Sequence, residues 1–138
     1  MDLGHWILAE GVKITEDTFG FIYVITNTVT GKKYIGKKQC KSKLKRKPLK
    51  GKKNKRIEIK DSDWRGYTSS SNELNADIIT HGKDKFIFQI LITCKSKWEL
   101  AYFEIKEQID NNVLFGDAYY NGIINVRIGR PPKNLFEE

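Results

Sequence analysis

The stretch Phe21 to Gly36 reads Phe-Ile-Tyr-Val-Ile-Thr-Asn-Thr-Val-Thr-Gly-Lys-Lys-Tyr-Ile-Gly, two β-branched and aromatic runs separated by polar residues and a glycine. Runs of this kind around a turn-forming segment predict a β-hairpin. Successive side chains of a strand point to opposite faces, so any turn of even length puts Tyr23 and Tyr34 on one face of the pair. A four-residue turn over Asn27 to Thr30 would set them directly opposite each other. A cross-strand aromatic pair ordinarily does no more than hold a sheet together. Here, however, Lys37 and Lys38 follow at once and open a long cationic stretch, so two phenols stand beside a surface that attracts phosphate.

The charge is concentrated. Residues 32 to 60 hold 15 of the 25 Lys and Arg and, among acids, only Glu58, a local +14 in a chain of net +8. Basicity needed for solubility alone would be spread over the surface; clustered lysines bind phosphates by releasing counterions. The segment from 37 to 60 therefore reads as a nucleic-acid contact, with Lys37, Lys38, Lys50, Lys52, Lys53, Lys55 and Arg56 as its candidate residues. Pro48 and Gly51 exclude one continuous helix there and leave room for a short helix before Pro48.

Length and patterning point to one domain over residues 1 to 138, with an arm at 1 to 19 and a tail at 126 to 138. Asp63 to Ser71 is polar around Trp64 and Tyr67, which read as anchors of a loop to the core. Ser70 to Glu73 reads as a capping box opening a helix over 71 to 81 that ends at Gly82, and Phe86 to Cys94 as a strand covered on both faces. Ser96 to Glu99 is a second capping box, starting a helix over 97 to 111. On it Trp98, Ala101, Tyr102, Ile105 and Ile109 form one apolar stripe, with Glu104 at its border. The expected fold class is α+β: a small, mainly antiparallel three-stranded sheet of residues 20 to 26, 33 to 37 and 86 to 94, flanked by two helices.

Cys40 and Cys94 lie far apart and outside any CxxC spacing, which fits a reduced intracellular protein, and with only His5 and His81 beside them a zinc site is not expected. No secretory leader and no membrane-length apolar run is read in the chain, so the expectation is a cytoplasmic protein without a membrane partner.

Ile22-Tyr23, then Tyr34-Ile35-Gly36, with Asn27 and Gly31-Lys32 between them, resembles the core of the GIY-YIG nucleases. His81-Gly82, Phe86 and Ile90-Leu91 resemble the family's helix-to-strand joint, so the likeness runs from residue 20 to 125. Phe21 departs from it where the family has a glycine, with Gly20 one residue earlier. The resemblance implies Mg²⁺-dependent (or Mn²⁺-dependent) hydrolysis of DNA phosphodiester bonds, expected in duplex DNA, as in the small nucleases of phages and mobile elements, homing endonucleases among them; a phage protein would act in the host cytoplasm. It places the metal-binding carboxylate on Glu104 and a further site residue on Asn121, and makes Tyr23 and Tyr34 catalytic, one of them as the base. The family's arginine position falls on Leu44, so Arg46 is the expected substitute and Lys38 its rival; a histidine expected soon after is missing, with Tyr67 as the nearest alternative. A phenol ionises near pH 10, so a tyrosine base would need neighbouring cations such as Lys38 and Arg46 to bring it down.

Two other readings stand beside the enzyme: a non-catalytic nucleic-acid-binding protein on a nuclease-like scaffold, which the departures suggest, and a basic protein that clamps folded RNA. Gly129-Arg130-Pro131 resembles the centre of an AT-hook, but its flanks do not, and it reads as a surface tail.

Overall fold

Asn27 decides the hairpin. Its side chain is fully buried, with Oδ1 accepting from Val29 N–H at 2.9 Å and Nδ2 donating to the Tyr120 hydroxyl at 3.0 Å. Held in this way, Asn27 belongs to the strand, and its N–H bonds Lys32 O at 2.8 Å. The loop is therefore Thr28 to Gly31, closed by Gly31 at φ 80°, a conformation glycine adopts without strain. This moves the register by one pair from the expected turn: Tyr23 faces Gly36, and Tyr34 faces Ile25. The tyrosines keep their common face as a diagonal pair, ring centroids 6.2 Å apart.

The computed structural model describes residues 1–54, 56–133 and 135, and for residues 43–46, 56 and 57 the backbone alone. The hairpin strands are β2 (Gly20–Asn27) and β3 (Lys33–Gln39). After them come β4 (Lys41–Arg46), β5 (Arg56–Asp61), α1 (Asn72–His81), β6 (Phe86–Cys94) and α2 (Lys97–Asp110). The main sheet has four strands, not three, because the arm contributes β1 (Trp6–Leu8), parallel to β6, in the order β1-β6-β2-β3. Three residues are too few to show a period in sequence; they are fixed by Trp6, whose ring is buried and whose Nε1 donates to Trp64 O at 2.6 Å.

The basic segment forms a separate two-stranded antiparallel ribbon, β4 with β5, from Lys41 paired with Asp61 to Arg46 paired with Arg56. It replaces the expected short helix: Lys41 to Arg46 finds an extended partner in Arg-Ile-Glu-Ile-Lys-Asp, which alternates with period two. Pro48 and Gly51 break the segment as expected, since both fall between the strands, Gly51 at φ 84°.

The two helices cover opposite faces of the sheet. On one, Leu74 and Ile78 of α1 join Phe21, Tyr23, Ile25, Trp64 and Phe88; on the other, Leu100 and Phe103 of α2 join Ile22, Ile35 and Cys94. Helix α1 is capped by Ser71 rather than Ser70, its Oγ accepting Leu74 N–H at 3.2 Å, and stops at Gly82 with φ 93°. Ser96 caps α2 as expected, accepting Glu99 N–H at 3.1 Å.

The buried stripe of α2 overturns the expected one. Leu100, Glu104 and Gln108 face the sheet, whereas Tyr102 is 43% and Ile109 56% exposed. Glu104 is accordingly buried on the inner face rather than on a border. Part of the outer apolar stripe is covered by the tail: Trp98 stacks on Tyr102 at 5.0 Å and donates Nε1 to Gly129 O at 2.8 Å, which pins the Gly-Arg-Pro turn to the helix. Among the described residues no helix is long and apolar enough to cross a membrane.

Candidate active site

Strand β3 is an edge strand, and an open edge exposes unpaired N–H and C=O groups. The segment after α2 and two side chains of α2 cover it. Lys33 N–H bonds Ala118 O at 3.0 Å and Tyr120 N–H bonds Lys33 O at 2.7 Å. Asn121 then takes both backbone groups of Ile35, Oδ1 accepting the N–H at 3.0 Å and Nδ2 donating to the carbonyl at 2.7 Å. Gln108 Nε2 donates to the same carbonyl at 3.0 Å, and the Glu104 carboxylate accepts the N–H of Lys37. Two polar residues of a helix are buried because an edge strand needs them. Asn121 accordingly positions the Tyr-Ile-Gly strand, its amide engaged by Ile35.

Gly36 makes the phenols converge. A Cβ there would lie 2.6 Å from Tyr23 Oη and 2.8 Å from Tyr34 Cε1, so the Tyr23 phenol crosses directly over the glycine towards the edge. Gly20 allows a second close approach, with Lys38 O 2.7 Å and Leu100 Cδ2 2.8 Å from its virtual Cβ. Phe21, the departure from the family pattern, is fully buried against Trp6 and Trp64 at 5.0 and 5.9 Å between ring centroids, so its bulk fills the core.

Tyr34, Ser70, Glu104, Gln108 and Asn121 line a cleft of about 360 Å³ along this edge. Of the residues expected from sequence, Tyr34, Glu104 and Asn121 meet here. Tyr23 lies just beneath, with Tyr67 edge-on to it at 6.2 Å. Lys37 Nζ reaches to 4.0 Å from Glu104. Lys38 is otherwise engaged, 2.9 Å from Asp63 and 4.3 Å over the Tyr67 ring. Lys50, Lys52 and Lys53 are exposed on the ribbon's turn. The calls on the side chains of Arg46, Lys55 and Arg56 fall outside the described residues.

Burial raises Glu104 above the ordinary carboxylate range, against the pull of Lys37 and its N–H. Burial also raises Tyr23 well above the usual phenol value, with the neighbouring Tyr34, Tyr67 and Glu104 adding to the effect. Tyr34 is raised by burial and less strongly placed, because a hydrogen bond with Ser70 works the other way. The expected depression of the phenols by cations is thus reversed: burial, with Glu104 and the neighbouring phenols adding to it, raises both. Between the two, Tyr34 is the more accessible.

Sequence reasoning passed over Ser70 and Gln108. Gln108 had one signal, its position four residues after Glu104 on the same helical face. Its Oε1 is buried without a hydrogen-bond partner among the described residues, a condition that costs about 1–3 kcal/mol.

Residues 6–124 match the family model described as "Putative endonuclease segE, GIY-YIG domain". No curated protein and no solved structure gives a match. With the hairpin, the two glycine approaches and the helix-borne glutamate on one edge, and with the model spanning most of its length, the chain belongs to the GIY-YIG endonuclease family.

Proposed function

We propose that this nuclease hydrolyses phosphodiester bonds of duplex DNA with a divalent cation, Mg²⁺ or Mn²⁺, held at Glu104. The observation that carries the reading is the convergence of Glu104 and Tyr34 in one cleft at the edge of β3, the strand whose far end leads into a strongly basic ribbon. A phosphodiester resists attack because its charge repels nucleophiles, so a site must supply a cation and orient water.

The donor set fits a hard cation. Among the described residues no three His, Cys, Asp or Glu side chains converge, and Glu104 is the acid in the cleft. Mg²⁺ keeps several of its own waters and needs only one or two carboxylates, and the unpartnered Gln108 Oε1 adds an oxygen nearby. Glu104 would hold the ion, which would supply positive charge to the phosphodiester. Tyr34 would orient the attacking water and, through its minor ionised form, take its proton, with the Ser70 hydrogen bond favouring that form; Tyr23, its hydroxyl buried over Gly36, packs beside it with ring centroids 6.2 Å apart. Asn121 and Gln108 hold the Ile35 carbonyl and keep the strand in place.

Plasmid DNA incubated with and without Mg²⁺, with the product ends sequenced, tests the reading. Cation-dependent cuts with ordinary hydrolytic ends are expected; binding without cuts in any metal would favour a non-catalytic scaffold. Tyr34→Phe should lower turnover by about 10²–10⁴-fold and flatten the rise of log rate with pH, while Tyr23→Phe retains that rise at a lower rate. If Tyr23→Phe is the variant that flattens it, the two roles are exchanged.

The ribbon carries the affinity. Neutralising Lys50, Lys52 and Lys53 should weaken binding evenly across sequences, because phosphates carry no direct base code. The plot of log affinity against log salt should become shallower by up to about 0.9 per lost contact. An unchanged slope would place the ribbon away from the DNA.

A further inference from the structure

Gln108 lies one turn beyond Glu104 on the buried stripe of α2 and lines the same cleft. Its amide has one sensible orientation. Nε2 donates to Ile35 O at 3.0 Å, and turning the amide over would bring two carbonyl oxygens to that distance. Oε1 is thereby directed away from the strand. The side chain is 5% exposed, and Oε1 has no partner among the described residues. Buried carbonyl oxygens almost always find a donor.

Glu104 and Gln108 Oε1 are both acceptors, and they sit on one face of α2 a single turn apart. The cation nearest to Glu104, Lys37 Nζ, is 4.0 Å away on a partly exposed side chain. Glu104 and Gln108 both line the cleft, and the second, with no donor to its buried Oε1 among the described residues, calls for a ligand that presents either positive charge or polarised O–H groups. A hydrated divalent ion presents both.

We propose that Gln108 Oε1 is the second oxygen of the cation site at Glu104, accepting from the hydration shell of the ion. The inference rests on the metal-dependent reading above. A neutral amide suits this task better than a second acid: with one carboxylate the ion keeps a net positive charge for the phosphodiester, which a second carboxylate would cancel. Ile35 O does not depend on Gln108 alone, since Asn121 Nδ2 holds it at 2.7 Å, so the glutamine is free to be tested.

The test is Mn²⁺ binding to the DNA-free protein, followed by electron paramagnetic resonance. Gln108→Met, of similar length but without the oxygen, should weaken binding about 10–100-fold, as losing an outer partner of a metal site does. In the unmutated protein labelled with glutamine ¹³C at the amide carbon, the bound Mn²⁺ should show a dipolar coupling to that carbon. Gln39 and Gln89 stand outside the cleft, so the signal reports Gln108 even if the variant folds poorly. Binding lost in Glu104→Ala but unchanged in Gln108→Met, with no ¹³C coupling, overturns this inference and leaves the metal reading standing. Binding that is absent in the wild type, or untouched by Glu104→Ala, removes the metal reading and this inference with it.

Discussion

Glu104→Ala should bind DNA as well as the wild type, or slightly better, and cleave it at least about a thousand-fold more slowly. The cation proposed there would be asked for several kcal/mol of transition-state stabilisation, and each 1.36 kcal/mol is a factor of ten in rate. Affinity is spared because the substitution removes an acid from beside a phosphate. Stability should be spared as well, and pH shows why. Burial raises the Glu104 carboxyl above its value in the unfolded chain, so ionising it opposes folding. That cost is absent at acid pH, grows as pH rises through the unfolded value, and is complete above the folded one. Glu104→Gln, which retains an acceptor for Lys37 N–H, should therefore gain stability over the wild type on going from pH 4 to pH 8. Urea melts at the two values, alongside single-turnover cleavage and DNA titration, separate the roles. A Glu104→Ala protein that cuts normally would put the cation elsewhere.

Gly36→Ala should be damaging because the added methyl group strikes the phenols of the site itself. Its Cβ would stand 2.6 Å from Tyr23 Oη and 2.8 Å from Tyr23 Cζ, against a phenol with 1% exposure and no room to withdraw. Overpacking of this kind costs about 1–3 kcal/mol, and here the displaced group belongs to the site, so turnover should fall further than stability does. A double-mutant cycle checks the cause. In a Tyr23→Leu background the same substitution should cost less than in the wild type, the remainder being its approach to Tyr34 Cε1 at 2.8 Å, a coupling expected of residues in direct contact. Equal costs in both backgrounds would mean that Tyr23 is not what the methyl group meets.

Parity, caps and glycines made much of this legible before any coordinates. Two tyrosines eleven residues apart across an even turn share a face whatever the register, so their convergence survived the one-pair shift imposed by Asn27. Strand Phe86–Cys94 and the helix stops were readable because apolar runs, Ser96 and Gly82 act locally. The inner face of α2 was not readable. Periodicity sums hydrophobicity and so favoured Trp98, Tyr102 and Ile109, whereas the side chains that turn inward include Glu104 and Gln108, chosen by backbone groups of a strand some seventy residues earlier. The tail that covers Trp98 removes the penalty for leaving that ring outside. Strand β1 was hidden for the same reason: its partner β6 is remote, and three residues carry no period. The direction of the phenol shifts also lay beyond sequence, since lysines close in the chain suggest a depressed value, while burial in three dimensions decides the sign.

The ribbon leaves β3 after Cys40 and returns at Ser62, whose N–H bonds Cys40 O at 2.8 Å and whose hydroxyl bonds Gln39 O at 2.5 Å. Its two ends are thus clasped side by side, with Lys41 paired to Asp61 at the base. A hairpin anchored in this way can lengthen or shorten by whole residue pairs without altering the distance its ends must span. The edge that carries the cleft and the reach of the basic arm are then separately adjustable, so that, if the arm meets the nucleic acid as proposed, its length and tip can change while the edge stays under its own, stricter constraints.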